Sequence, residues 1–262
     1  MSALHAEVTG RGRRDLVLLH GWGTNLRIWD ALAAALERRF RIIAIDLPGH
    51  GRSDWDLRLH TPAAQAWRVH ETLAPLTTRY SLLGWSLGGQ FALDLAAAMP
   101  AGIERLVLVA TTPRFLACPG WRSGLPAASL AKLAAAVAAD PVRALDGFLD
   151  LCVRGCAART AREARLTLHS AIERHGRAQP AALAWGLERL RDADLRPMLP
   201  QMKKPALSIA GRLDCVTRAQ SSRALAAALP RGRYASIAGA SHVPFLTHPG
   251  QFLSLLRGFL RG

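Results

Sequence analysis

Runs of consecutive apolar residues recur at short intervals through the first half of the chain. Four of them are LVLLH (16–20), RIIAID (41–46), SLLGW (81–85) and RLVLVA (105–110). Apolar side chains fill both faces of each run, as in parallel strands buried within a sheet. Segments with helical spacing lie between them, including 28–39 and 87–100. This alternation predicts an α/β fold, a mostly parallel sheet flanked by helices.

The alternation stops in the middle of the chain. From about Pro113 to Pro200 the sequence shows Ala- and Leu-rich helical runs without a convincing strand. Strand-like segments return at 205–211 and 233–239, and a helix is predicted over 251–260. The simplest interpretation is a helical cap inserted between two strands of one sheet. The predicted divisions are 1–113 (first part of the core), 114–200 (cap) and 201–262 (second part of the core).

Length and composition fit a globular protein with a sizeable core. The chain has 262 residues, of which 50% are hydrophobic, and this excludes wholesale disorder. No apolar run approaches the roughly 18 residues that a membrane helix needs. The first residues lack the apolar segment of a secretory signal. We therefore expect a cytoplasmic monomer that does not contact membranes.

The net charge of +15 leaves two interpretations open. Only three of the 34 basic residues are lysines, and this skew, beside so much alanine, is typical of a biased genome. Alternatively, the protein binds an acidic partner. Nucleic acid is disfavoured as that partner, because the arginines form no recognisable motif and are not interleaved with aromatic residues.

The four cysteines show no metal-binding pattern. Cys118, Cys152, Cys156 and Cys215 follow neither a CxxC motif nor zinc-ligand spacing. Such residues are usually small buried hydrophobes in a reducing compartment. We expect no disulfide, no metal and no cofactor.

A candidate nucleophile lies between the predicted strand 81–85 and the helix that follows it. The segment Gly84-Trp85-Ser86-Leu87-Gly88 places small residues two positions before and after a serine. This spacing permits a sharp turn that lifts the serine hydroxyl clear of the sheet. The turn also places Ser86 at a helix N-terminus, where free N–H groups stabilise developing negative charge.

A serine nucleophile needs a base that is oriented by an acid. In this architecture the acid and then the base follow the serine along the chain. Asp214 follows the strand at 205–211, and His242 follows the strand at 233–239. Because parallel strands end at a shared edge, the predicted triad is Ser86, Asp214 and His242. His248 is a rival base, but it immediately precedes the last helix and is interpreted as structural.

An oxyanion hole requires two hydrogen-bond donors near the tetrahedral oxygen. The N–H of Leu87, directly after the nucleophile, is one candidate. The loop after strand 16–20 reads His20-Gly21-Trp22-Gly23. Trp22 is predicted to supply the second backbone N–H, and its indole to form a wall of the acyl pocket. A buried aromatic side chain beside a tight turn is compatible with both roles.

Together, HGWG, DLPGHGRS (46–53), GWSLGGQ, GRLD and SHVPFLTHP make the chain similar to the α/β-hydrolase superfamily along almost its whole length. More narrowly, the tryptophans in HGWG and GWSLGGQ and the cap resemble the pimeloyl-[acyl-carrier protein] methyl ester esterases of biotin synthesis. This resemblance implies hydrolysis of the methyl ester of carrier-bound pimeloyl, with release of methanol. It also matches Ser86, Asp214 and His242 to the triad, and Trp22 and Leu87 to the oxyanion and substrate contacts.

The resemblance further implies contacts from the cap. The segment Phe148, Leu149, Asp150, Leu151 and Cys152 falls where cap residues of the family touch the pimeloyl chain. Cap arginines are implied to bind the acidic acyl carrier protein, and the candidates are Arg143, Arg154, Arg159, Arg162 and Arg165. A solvated basic face produced by codon bias is an equally good interpretation of these arginines.

Two other functions fit the same motifs. One is a broad short-chain carboxylesterase or lactonase, because one hydrolase scaffold supports many chemistries. The other, from a different class, is a hydrolase-fold receptor that holds a small ligand beneath its cap. Haloalkane dehalogenases and epoxide hydrolases are disfavoured, since they carry aspartate where this chain has Ser86.

Overall fold

A seven-stranded sheet forms the centre of the computed structural model, which describes residues 3–261. The strands lie side by side in the order β1-β3-β2-β4-β5-β6-β7, and β1 alone is antiparallel to its neighbour. The predicted mostly parallel sheet is therefore confirmed. The strands are β1 (Ala6–Thr9), β2 (Arg14–Leu19), β3 (Phe40–Ile45), β4 (Tyr80–Trp85), β5 (Ile103–Val109), β6 (Ala206–Gly211) and β7 (Gly232–Ile237).

Burial explains which strands the hydrophobic pattern could predict. Every residue of β4 and β6 is buried, and so are the last four residues of β2, β3 and β5. The edge strand β1 has only four residues, all half-buried or exposed, so it lacks the apolar run that marks the other strands. The sequence analysis accordingly missed β1.

Helices surround this sheet. Those of the core are α1 (Asp30–Leu36), α2 (Pro62–Leu73), α3 (Leu87–Ala98), α8 (Ala219–Ala228), α9 (Pro244–Thr247) and α10 (Pro249–Arg261). Between β5 and β6 the chain forms α4 (Ala127–Ala139), α5 (Pro141–Val153), α6 (Ala158–His175) and α7 (Pro180–Asp192). These four helices constitute the predicted helical cap; its boundaries at 114 and 200 remain predictions. Within the described residues, no helix combines the length and hydrophobicity that crossing a bilayer demands.

The cap is fastened to the core by buried polar contacts. The Asn25 side-chain amide donates to the carbonyl oxygens of Ala171 and Gly176 at the end of α6, at 2.9 and 3.0 Å. Farther along, Arg189 of α7 and Asp94 of α3 form a largely buried ion pair at 2.6 Å. The cap therefore has a specific position over the carboxyl edge of the sheet.

Candidate active site

Ser86 occupies the turn between β4 and α3 in a strained backbone conformation. Its φ of 55° and ψ of −117° lie in a region that residues other than glycine rarely adopt. The Ser86 N–H donates to the Val109 carbonyl oxygen at 2.9 Å and ties the turn to the neighbouring strand. The predicted sharp strand–turn–helix arrangement is therefore present, with the serine at its apex.

Two glycines make this turn sterically possible. A Cβ at Gly84 would lie 2.3 Å from the carbonyl oxygen of Gly88. A Cβ at Gly88 would lie 2.3 Å from the carbonyl oxygen of His20, at the end of β2. Because neither position tolerates a side chain, α3 begins in direct contact with the carboxyl ends of β2 and β4. This contact places the start of α3 beside His20, two residues before Trp22.

The structure brings Ser86, His242 and Asp214 into one chain of hydrogen bonds. His242 Nε2 lies 3.0 Å from Ser86 Oγ, and its Nδ1 lies 2.8 Å from Asp214 Oδ2. Asp214 Oδ1 accepts from the backbone N–H groups of Val216 and Thr217, both at 2.8 Å. An ionised carboxylate satisfies all these donors, so Nδ1 of His242 carries a proton and Nε2 is free to accept one from Ser86.

Two further contacts fix the His242 loop. The Trp85 indole N–H donates to the His242 carbonyl oxygen at 2.8 Å, and the His242 N–H donates to the Cys152 carbonyl oxygen at 3.0 Å. The tryptophan before the serine thus holds the base in place. The rival His248 instead contacts Thr247 Oγ1 at 3.0 Å and caps α9.

Backbone donors lie next to the nucleophile. Within residues 3–261, the N–H groups of Trp22 and Leu87 have no protein acceptor, as an oxyanion hole requires. The Trp22 indole N–H is already engaged, since it donates to the Leu183 carbonyl oxygen of α7 at 2.9 Å. The side chain of Trp22 therefore contacts the cap, while its backbone N–H remains available as a donor.

Two buried histidines support the Trp22 loop, and the sequence analysis did not identify them. His20 Nε2 accepts from the Leu47 N–H at 2.9 Å, and His50 Nε2 accepts from the Gly23 N–H at 3.1 Å. Each imidazole therefore links its own loop to the other's backbone. Burial lowers the pKa of His20 to about 3 and also lowers the pKa of His50, so both rings remain neutral. The motifs HGWG and DLPGHGRS, which contain these histidines, were the features of the sequence that could have indicated them.

A cavity of about 560 Å³ opens beside Ser86. Its wall is largely apolar and includes Trp22, Phe148 and Leu151. The Phe148 ring packs edge-on against Trp22, with centroids 4.9 Å apart. Three exposed cations also line the cavity, namely Lys132, Arg143 and Arg154. Such a cavity suits an aliphatic chain and also presents positive charge.

Helical periodicity decides which of the predicted α5 contacts reach this cavity. Phe148 and Leu151 lie on the face of α5 that lines it. Leu149 and Cys152 are buried on other faces, and Asp150 is exposed and paired with Arg165, so these three do not line the cavity. Of the five predicted α5 contacts, Phe148 and Leu151 therefore line the cavity, and their contact with substrate stays a prediction.

The predicted docking arginines also separate into groups. Arg143 and Arg154 line the cavity. Arg159 pairs with Glu163 at 2.9 Å, and Arg165 pairs with Asp150, so an acidic side chain of the same chain lies beside each of these charges. Arg162 is exposed on α6. Lys132, which the sequence analysis did not select, joins Arg143 and Arg154 at the cavity.

One cluster has metal-ligating groups within reach of each other. Ligand atoms of His5, Asp46 and His175 lie within 4.8 Å of one another. The Asp46 Oδ2 already accepts from His175 Nε2 at 2.8 Å and from the Arg52 N–H at 2.9 Å. The Arg27 guanidinium donates to His175 Nδ1 at 3.4 Å. Because these contacts occupy the ligand atoms, we assign the cluster to fastening α6 onto the core.

Comparison with known proteins adds an independent line of argument. Residues 16–249 match the alpha/beta hydrolase fold family. The chain is 39% identical over 257 residues to the pimeloyl-[acyl-carrier protein] methyl ester esterase of Nitrosomonas europaea, covering 97% of this chain and 98% of that protein. The protein of the same name from Edwardsiella ictaluri is 37% identical, covering 100% and 99%. An esterase from Exiguobacterium antarcticum, 22% identical, superposes with a TM-score of 0.87 over 99% of this chain and 96% of that one.

Proposed function

Because this chain belongs to the α/β-hydrolase family, and within it to the pimeloyl-[acyl-carrier protein] methyl ester esterases, we propose that it hydrolyses the methyl ester of carrier-bound pimeloyl groups by serine catalysis. The observation that carries this proposal is the chain of hydrogen bonds from Ser86 through His242 to Asp214 beside an apolar cavity. The similarity to relatives of that name supports the choice of substrate and a place in biotin synthesis.

The first half-reaction forms an acyl-enzyme. Ser86 Oγ attacks the ester carbonyl carbon while His242 Nε2 takes the hydroxyl proton. The carbonyl oxygen becomes an oxyanion and accepts hydrogen bonds from the backbone N–H groups of Trp22 and Leu87. The tetrahedral intermediate collapses, His242 returns the proton to the methoxy oxygen, and methanol leaves.

Water then releases the product. His242 removes a proton from a water molecule, whose oxygen attacks the acyl-enzyme carbonyl. The same backbone donors bind the second oxyanion. Collapse of this intermediate breaks the bond to Ser86 Oγ, which regains its proton from His242. The products are a free carboxylate and the unmodified serine.

The cavity gives the carrier-bound substrate a defined orientation. The pimeloyl chain packs against Phe148 and Leu151, while the carrier remains outside. Lys132, Arg143 and Arg154 then face the phosphopantetheine phosphate and the carrier's carboxylates. Exposed cations of this kind accelerate encounter with an acidic partner more than they tighten the final complex.

The test compares pimeloyl-carrier-protein methyl ester with free dimethyl pimelate at low and moderate salt. We expect kcat/KM for the carrier-bound ester to be higher by about 10- to 1,000-fold at low salt, with a gap that narrows as salt rises. Equal cleavage of the free ester, indifferent to salt, would indicate a general short-chain carboxylesterase or lactonase instead. Failure to turn over either ester more than once would indicate a ligand receptor.

A matched pair of variants isolates the docking charges. Arg143→Gln/Arg154→Gln should lower kcat/KM for the carrier-bound ester by about tenfold and leave dimethyl pimelate unaffected. Arg231→Gln/Arg233→Gln removes the same net charge at the amino end of β7, away from the site. If both double variants weaken carrier-ester hydrolysis equally, overall charge rather than a docking surface explains the salt dependence.

A further inference from the structure

We propose that His20 is a positioning residue for the oxyanion hole: its Nδ1–H orients the peptide group whose N–H stabilises the transition state. This inference rests on the proposed serine mechanism. The Gly21 carbonyl oxygen and the Trp22 N–H belong to one trans peptide, so they point in opposite directions. Whatever holds the Gly21 oxygen therefore also aims the Trp22 N–H.

The Gly21 oxygen is held by three donors on one side. His20 Nδ1 lies 2.8 Å from it, Thr24 Oγ1 3.0 Å and the Thr24 N–H nitrogen 3.4 Å. All of these groups are buried. With its carbonyl fixed toward them, the peptide turns the Trp22 N–H to the opposite side, where Trp22 lines the cavity with Ser86.

The position of the proton on His20 follows from its surroundings. The Leu47 N–H donates to His20 Nε2 at 2.9 Å, so Nε2 carries no proton. The ring is fully buried, and burial lowers its pKa to about 3, so it is neutral. The single ring proton must therefore sit on Nδ1 and point at the Gly21 oxygen. The backbone N–H of Leu47 thereby sets the His20 tautomer that can donate to the Gly21 carbonyl oxygen.

The two functions of the imidazole can be separated by substitution. Asparagine places its amide nitrogen where Nδ1 lies, so His20→Asn retains the donor to Gly21 and loses the acceptor for Leu47. Glutamine reaches the Nε2 position, so His20→Gln retains the acceptor for Leu47 and loses the donor to Gly21. If His20 serves only to join the loops, the glutamine variant is the better enzyme; if it positions the oxyanion donor, the asparagine variant is.

The experiment measures p-nitrophenyl butyrate hydrolysis by the full chain. We expect His20→Asn to keep kcat within about threefold, and His20→Gln to lower it by about 10- to 100-fold with KM nearly constant, less than outright loss of an oxyanion donor. His20→Gln should weaken inhibition by an alkyl boronic acid by a similar factor, because its tetrahedral adduct occupies the same donors. Equal losses, or the reverse order, would overturn the proposal.

Two controls keep the result interpretable. Ser86→Ala must be inactive; retained hydrolysis in that variant would refute the serine mechanism rather than the role of His20. If His20→Gln does not fold, His20→Asn decides, because it keeps the donor to Gly21 and loses the acceptor for Leu47; a loss of kcat greater than about tenfold in that variant would overturn the proposal. Thr24→Val, which removes the other side-chain donor to Gly21, should lower kcat by about threefold to tenfold, with recovery in Thr24→Ser.

Discussion

The carboxylate of Asp214 accepts three hydrogen bonds, two of them from backbone amides of its own loop. This arrangement leaves it no role as a donor and fixes its orientation toward His242. A carboxylate held in this way keeps the imidazole in the tautomer that can deprotonate Ser86. At the scale of the residue, the chemistry depends on which atom carries each proton.

Asp214→Asn tests this dependence on tautomer. An amide can present N–H to His242 Nδ1, which would move the ring proton to Nε2 and block proton acceptance from Ser86. We expect kcat for p-nitrophenyl butyrate to fall by about three to four orders of magnitude while the unfolding midpoint changes little. A variant that retains more than a tenth of the wild-type kcat would contradict the assigned role of Asp214.

The three residues predicted as a triad could be selected from the sequence and lie together in the structure because each follows a strand end. The supporting residues were harder to predict. His20 and His50 accept from backbone groups of each other's loop; the motifs HGWG and DLPGHGRS contain both histidines but do not indicate which backbone groups they contact. Leu149, Asp150 and Cys152 were predicted because the α5 segment was matched as a block, but they do not line the cavity, since a helix turns only some positions toward it.

At the scale of elements, an ion pair joins α7 to α3. Arg189 and Asp94 are largely buried, with side chains 6% and 14% exposed. Burial raises the pKa of Asp94, and the Arg189 guanidinium offsets part of that rise. The pair therefore fixes where the cap sits more than it adds net stability.

Replacing one member of this ion pair should show how much an unpaired buried charge destabilises the fold. Arg189→Met leaves the Asp94 carboxylate buried without a counterion, so we expect a loss of about 3–5 kcal/mol in the free energy of unfolding. The double variant Arg189→Met/Asp94→Leu should recover most of that loss, since it buries no charge. Urea denaturation of the three proteins measures this, and additive losses would show that the two side chains do not interact.

The ends of the helices depend on local side-chain hydrogen bonds, which hydrophobic periodicity does not predict. The helix predicted over 28–39 begins as a 3₁₀ turn at Leu26–Trp29, because the Asn25 side chain accepts from the Arg27 N–H. Regular α-helix then runs over Asp30–Leu36. The predicted strands agree better with the structure, since burial on both faces leaves an unmistakable apolar run.

For the whole molecule, the buried histidines predict how stability responds to acid. Folded His20 has a pKa of about 3 and that of His50 is also lowered, whereas an unfolded histidine titrates near about 6.5. Below about pH 6.5 these histidines bind protons in the unfolded chain but stay neutral in the folded chain. The free energy of unfolding that these neutral histidines contribute is therefore fully present above about pH 6.5 and declines as the pH falls. The slope of this decline approaches about 1.4 kcal/mol per pH unit for each histidine.

Urea unfolding between about pH 7.5 and 5 tests this expectation, because carboxylates with unfolded pKa values near about 4 contribute little in that range. His50→Gln keeps an acceptor for the Gly23 N–H without a titrating group, so its stability should fall less steeply than that of the wild type. Parallel pH profiles for the two proteins would show that His50 does not contribute.

The overall charge could not be interpreted from composition alone. Among the candidate arginines, only the structure separates Arg159 and Arg165, which have acidic partners, from Arg143 and Arg154, which line the cavity. The partner of Arg165 lies on another helix. A count of charges does not show such geometry, so a docking surface could be proposed only after the structure had placed the cap helices.

The pairing of β5 with β6 has a consequence for biosynthesis. These neighbouring strands are separated in sequence by the entire cap, and both Asp214 and His242 follow that gap. Ser86 therefore emerges from the ribosome long before the groups that activate it. A nascent chain carries a serine of ordinary, weak nucleophilicity until β6 and β7 join the sheet. In the proposed mechanism, the enzyme therefore becomes active only after the last quarter of the chain has been translated.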